Sequence, residues 1–268
     1  MSEPTYGAAG SAAARSVRAA RIERLRGPAT ALVLFALGAF LYSRLANGTL
    51  VYYIHARFSG LTLAAALGLL AIGATYASRL VPALRPAADT GDEPHDHISW
   101  PALFLIALPI VLGLAVEPRP LGASAMGGRD LSLGGAGLSP ARAAIERRLA
   151  MPAGERTILD WLVAFAATPD PASHRGQAAK VVGFVYRDDR TPDDMFLISR
   201  FTIRCCVADG SAVWLPVRWP ESHTLENDAW LEVEGVFGVG TLLGRDVPVL
   251  EASRVTAVEP PAQPYLYT

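Results

Sequence analysis

The sequence predicts a membrane-anchored protein: three α-helical spans, then a C-terminal all-β domain built as a small OB-like barrel with one or two helices before it. Three observations carry this expectation. The 268 residues are 51% hydrophobic and only 18% charged, with mean hydropathy +0.28, too apolar for an ordinary soluble domain. Long uncharged apolar segments crowd the first 116 residues. After Gln177 the hydrophobic period shifts from helical to two, the period of strands.

Residues 1–27 form a basic N-terminus with Arg15, Arg18, Arg21, Arg24 and Arg26. Apolar sequence begins late for a short cleavable signal, so the arginines are expected to be the cytoplasmic flank of a first span. Residues 28–117 are the expected membrane domain. Pro28 to Ser43 is uncharged, and apolar character resumes past Arg44 as far as Ile54. Phe58 to Ser78 and Ile98 to Val116 carry no charge over 21 and 19 residues, close to the roughly 20 that a spanning helix needs. Pro109 lies inside the third segment and is expected to kink it.

Ionisable residues at a membrane boundary either anchor the chain or line a pathway. Arg44, His55 and Arg57 are the pathway candidates here, with interfacial anchoring as the plainer alternative. Tyr52 and Tyr53 suit the aromatic belt. In the polar connection Arg79 to His97, the run His95-Asp96-His97 is a weak candidate for holding a divalent metal, against a solvated loop. Three crossings from a cytoplasmic N-terminus place the C-terminal domain on the extracytoplasmic face of the cell membrane. Arg79 and Arg85 agree with that orientation, while Arg44 and Arg57 oppose it.

Residues 118–140 are Gly/Ala/Ser-rich and are expected to be a flexible linker. The soluble domain is assigned to 141–268. A short helix is expected over Ala141 to Leu149. Thr157 with Asp160 three residues on has the form of a capping box opening a second helix that ends before Pro169. Five strands follow, around Val181–Val185, Phe201–Val207, Val213–Val217, Leu231–Gly235 and Val247–Val258. Asp188 to Asp193 and Gly238 to Arg245 are the expected turns. A small sandwich is the alternative to a barrel.

The chemistry centres on Arg204, Cys205, Cys206 and Asp209. Cys205 and Cys206 are the chain's two cysteines and are adjacent. Strand alternation places Cys205 in the core with Phe201, Ile203 and Val207, and Cys206 on the other face beside Arg204, whose guanidinium would favour a thiolate. These four residues are the candidate thiol or metal site. Burial of a cysteine as a small hydrophobe is the bland alternative. A disulfide between them is strained, because adjacent Cα atoms are about 3.8 Å apart and bridges usually need at least about 4.4 Å. Two sulfurs cannot close a tetrahedral site, so a metal would take other ligands too. The sequence names no cofactor.

The segments Gly183-Phe184-Val185-Tyr186, Arg200-Phe201, Cys205-Cys206-Val207-Ala208-Asp209, Val233-Glu234-Gly235 and Pro264-Tyr265-Leu266-Tyr267 resemble the YcgQ-type family of bacterial membrane proteins. The resemblance covers essentially the whole chain and is most specific at the Cys-Cys-x-Ala-Asp run. It implies one subunit of a two-component permease whose partner is a larger YcgR-type integral membrane permease. Members often carry a histidine-rich stretch between helices, reduced in this sequence to His95 and His97.

An accessory permease subunit is therefore the expected function, its outer domain gating or delivering a solute, with a metal ion as the candidate. A membrane-tethered ligand-binding or thiol-redox module is the alternative. Residues 171–268 hold one lysine and eight arginines against thirteen acids, the wrong balance for a single-stranded nucleic-acid groove. No nucleic-acid partner is expected. Without a Ser-His-Asp order, P-loop, dinucleotide fingerprint or HExxH, the chain is not expected to be an enzyme.

Overall fold

A computed structural model describes residues 25–83, 98–127, 148, 150–242 and 244–267. The chain divides into two compact units. One comprises residues up to Leu50 together with Arg57–Pro118, and the other comprises Val51–Ala56 and Arg119–Thr268. Most of the basic N-terminus, the loop bearing His95, Asp96 and His97, and the second part of the expected linker lie outside the described residues, as does the expected 141–149 helix apart from Arg148.

The first unit holds α1 (Arg26–Ala46), α2 (Ser59–Ala83) and α3 (Trp100–Ala115). Arg26–Ala46 and Ala56–Ser78 are long and apolar enough to cross a membrane by length and composition. The helices approach closely where a side chain is missing. A Cβ on Gly38 of α1 would lie 2.9 Å from Leu70 Cγ, and one on Gly113 of α3 would collide with the ring of Phe40. Small residues at such crossings let apolar helices gain dispersion contacts where no hydrophobic force drives them together. Leu32, Leu61, Phe104 and Leu114 point outward, 68–73% exposed, as lipid-facing side chains would.

The third segment differs from the sequence expectation. Its helix has 16 residues, about 24 Å at 1.5 Å per residue, short of a hydrocarbon core of about 30 Å. It starts only at Trp100, with Pro in its first turn, and ends at Ala115 as Val116 turns extended. Pro109 sits inside it without ending it. Two full-length apolar helices are present among the described residues rather than three.

The second unit is a small barrel. Its strands are β1 (Ala178–Tyr186), β2 (Met195–Ile203), β3 (Ser211–Arg218), β4 (Trp230–Leu242), β5 (Arg245–Ala257) and β6 (Tyr265–Tyr267). They hydrogen-bond in the order β1-β4-β5-β3-β2, and β1 closes the ring on β2. All ring pairings are antiparallel except β3 with β5. Along β2, β1 pairs with Leu197–Ser199, leaving Phe201–Ile203 for β6, which lies parallel there.

Before the barrel stands α4 (Ile158–Ala167), opened by the capping box the sequence predicts: Thr157 Oγ1 accepts from the Asp160 backbone N–H and Asp160 Oδ2 accepts from the Thr157 N–H at 2.8 Å. Asp160 also pairs with Arg148 at 2.5 Å. The helix buries Ile158, Leu159, Trp161 and Leu162 among Val181, Val185, Ile198, Leu215, Val233 and Phe237. The indole of Trp161 meets the Phe237 ring edge-on with centroids 4.7 Å apart. A second apolar cluster forms around Phe184, Phe201, Trp214, Trp230, Val249 and Tyr265.

The two clusters explain three departures from sequence expectation. Every residue of β2 is buried, so it shows no polar face; a strand covered on both sides loses its alternation. Gly238 to Arg245 is not one long turn. β4 runs on to Leu242, and Gly240 within it leaves room for Val249, whose Cγ2 would lie 2.7 Å from a Cβ there. Finally, Leu121–Met126 of the expected linker is fastened to the barrel. Tyr265 Oη accepts the Leu121 N–H at 2.8 Å, Asp228 accepts the Ala123 N–H, and Met126 is fully buried.

Replacing Trp161 by Ala removes the largest fully buried side chain among the described residues and leaves a cavity. The barrel domain is expected to lose about 3–5 kcal/mol. Urea denaturation followed by circular dichroism measures it, and a loss below about 1 kcal/mol would contradict this packing.

Candidate functional site

β2 ends at Ile203, and the chain turns immediately through Arg204, Cys205 and Cys206 into a short 3-10 turn, Val207–Asp209. One carboxylate shapes the turn. Asp209 Oδ1 accepts the Arg204 N–H at 2.9 Å, and Oδ2 accepts those of Cys205 at 2.8 Å and Cys206 at 3.4 Å. The Asp209 N–H returns a bond to the Cys206 carbonyl at 3.0 Å. Three successive N–H groups converging on one anion form an anion-binding nest, filled in this case by the chain's own side chain.

This turn reverses the expected placement of the thiols. Alternation does not extend past Ile203, so Cys205 is exposed and Cys206 half-buried. The sulfurs are 3.7 Å apart and both cysteines are free. Cys205 Sγ, Cys206 Sγ and an Asp209 oxygen lie within 4.8 Å of one another. Arg204 is exposed and joins the turn through its backbone N–H.

The electrostatics follow from the carboxylate rather than from Arg204. The Cys205 thiol lies beside the Asp209 carboxylate and donates to Cys206 Sγ, and losing its proton would set two anions side by side. The interaction with Asp209 first, then the Cys206 thiol, then slight desolvation, pushes the Cys205 pKa up to about 11. For Asp209, burial acts to raise the pKa. The Cys205 thiol and the three backbone N–H groups outweigh it and hold the carboxyl at about 2.

A second segment completes the site. Residues 53–55 lie antiparallel to it: the His55 N–H donates to the Cys205 carbonyl at 2.9 Å, the Val207 N–H donates to the Tyr53 carbonyl at 3.0 Å, and Ile54 faces Cys206 across the bridge. The C-terminal strand holds the same segment from its other side. Tyr265 Oη donates to the Tyr52 carbonyl at 3.2 Å, and the His55 and Tyr267 rings stack with centroids 3.8 Å apart.

The three pathway candidates fall in different units. Arg44 belongs to the helical unit, where its guanidinium donates to the Gly113 carbonyl and lies 4.9 Å from the Phe40 ring centroid, tying α1 to α3. Arg57, in that unit too, lies 4.8 Å from the Phe58 centroid. His55 belongs to the barrel unit and to the thiol site. His95, Asp96 and His97 lie outside the described residues. Sequence reasoning missed the role of 53–55 because the pairing runs through backbone groups. The β-prone run Val51-Tyr52-Tyr53-Ile54 was the available signal.

Residues 156–268 match the family described as the DUF1980 C-terminal domain. Over 99 residues the chain is 29% identical to a protein of Streptococcus mutans that carries a provisional name, two-component membrane permease complex subunit. That alignment covers 36% of each chain, so this sequence matches about a third of the relative's length. No solved structure matches.

Asp209→Asn removes the negative charge that opposes the Cys205 thiolate. Alkylation of Cys205 at pH 8, followed by peptide mass spectrometry, should speed up by about one to two orders of magnitude. In the unaltered protein the Cys205 rate should keep rising with pH toward 11. An unchanged rate in the variant would show that Asp209 does not control this thiol.

Proposed function

We propose that the chain is a membrane-anchored accessory subunit of a two-component permease, in which the barrel domain gates or delivers a solute for a larger integral membrane partner. The observation that carries the reading is the placement of residues 51–56. In sequence this segment joins the two long apolar helices, yet it belongs to the barrel unit and pairs with the Cys205–Cys206 turn. The barrel is thereby attached through an inner connection of the helices as well as through residues 119–127. A domain joined to the apolar helices at two points along the chain suits a subunit that serves a transporter. The name of the Streptococcus mutans relative supports the same reading.

The strand order β1-β2-β3-β5-β4-β1, with only β3 and β5 parallel, supports treating the barrel as OB-like. Such a fold hosts many functions, so the choice rests on the site. A metal ion is the solute class that a thiol pair beside a carboxylate favours. A nucleophilic redox role fits less well, since the more exposed thiol is the one whose pKa is raised. Composition of the barrel domain argues against nucleic acid, and no catalytic constellation argues for an enzyme.

With α3 as a third, short crossing, a cytoplasmic N-terminus places the barrel on the extracytoplasmic face. Alkaline phosphatase fused after Thr268 should then be active and a fluorescent protein at the same point dark. The opposite pattern would overturn the orientation. Mild solubilisation from the native membrane should yield a stable complex with a polytopic membrane protein. Recovery of the chain alone, fully competent for transport after reconstitution, would remove the accessory role.

A further inference from the structure

The spacing of the two sulfurs selects among the metal geometries open to this turn. Two thiolates bound to one ion at about 2.3 Å and the tetrahedral angle stand about 3.8 Å apart. A linear arrangement at the same bond length would separate them by roughly 4.6 Å. The observed separation is 3.7 Å. The pair is already at a tetrahedral edge, although neighbouring residues in an extended strand would send their side chains to opposite faces. The turn imposed by Asp209 brings them together.

The carboxylate is the nearest candidate for a third ligand, with an oxygen within 4.8 Å of both sulfurs, so a small side-chain adjustment brings it to the third corner. Hydrogen bonds brace the Asp209 carboxylate directly and the two cysteines through their backbone. Asp209 is held by the N–H groups of Arg204, Cys205 and Cys206, Cys205 by the His55 N–H on its carbonyl, and Cys206 by the Asp209 N–H on its own. Outer partners such as those on Asp209 fix a carboxylate's orientation before the ion arrives and sustain affinity.

We propose that Cys205, Cys206 and Asp209 form a binding site for a zinc-class divalent ion, with three protein ligands and one corner open to solvent or to a ligand from another molecule. Binding breaks both S–H bonds, forms two metal–sulfur bonds, and releases two protons to water. Nothing is oxidised or reduced. Closed four-ligand sites are structural, whereas an open corner permits exchange, which suits an ion that is handed on. The exposure of Cys205 and Asp209 leaves the ion a route in. As a transport site it rests on the permease reading; as a binding site it stands on the geometry.

The test is a titration of the reduced, metal-free full chain in detergent with cobalt(II), followed by zinc competition. One equivalent should bind, with intense visible bands of tetrahedral cobalt and a near-ultraviolet thiolate charge-transfer band that zinc removes. Cys205→Ala alters an exposed side chain and should leave circular dichroism unchanged while weakening cobalt binding at least about tenfold. Cys206→Ala should do the same and, like Cys205→Ala, reduce the charge-transfer intensity. A double His95→Ala, His97→Ala variant should bind as the unaltered chain does. Absence of the thiolate band, or full affinity in Cys205→Ala with loss in the double histidine variant, would overturn the site. The titration uses the purified chain without a partner, so failure to recover a permease complex would not affect it.

Discussion

Three consecutive backbone N–H groups at the end of β2 converge on the Asp209 carboxylate, and much of the barrel unit's local architecture depends on that convergence. Without an acceptor there, the N–H groups of Arg204, Cys205 and Cys206 would need strand partners, and β2 would run on. With it, the chain leaves the sheet at Ile203 and the thiols come to one side. The Cys205 carbonyl and Val207 N–H are then left to pair with residues 53–55. A single ionised side chain thus ends a strand, gathers a site and receives a second segment of the chain. Its low pKa is the electrostatic expression of those same bonds.

The two units solve different packing problems. In the barrel, apolar side chains leave water on both faces of the sheet, and bulky residues such as Trp161, Phe196 and Phe237 fill the space. In the helical unit the outward side chains are themselves apolar, so burial gains little. Contact comes instead from absent side chains at Gly38 and Gly113. Arg44 fits this logic. Its guanidinium donates to the Gly113 carbonyl and lies over the Phe40 face, so a charge carried on an apolar helix finds partners within the unit.

Residues 51–56 connect these regimes through the covalent chain. They follow α1 and precede α2 in sequence, but their backbone groups are satisfied by the Cys205–Val207 turn and by Tyr265. This is strand addition on a small scale, in which main-chain bonds supply the attachment and side chains such as His55 on Tyr267 add to it.

Much of the fold was legible in the sequence because the relevant signals are periodic or local. Long uncharged apolar runs marked all three helices, though not the shortness of α3; period-two stretches marked most strand regions but set the second too late and missed β6; Thr157 with Asp160 marked the start of α4. The chemistry of the site was legible too, since Cys205, Cys206 and Asp209 are close along the chain. Their arrangement was not. Alternation predicts opposite faces for adjacent cysteines, and only the folded turn shows that hydrogen bonds to Asp209 end the strand first. Nor does local pattern reveal that both faces of β2 are covered, that Leu121–Met126 is packed rather than loose, or that 53–55 pairs with 205–207. Each of those depends on backbone groups or burial supplied by residues up to more than a hundred positions away. The sequence by itself determined which residues can bond, ionise or avoid water. Tertiary structure decided which partners they meet, because hydrogen bonds and close packing act over ångströms of space rather than along the chain.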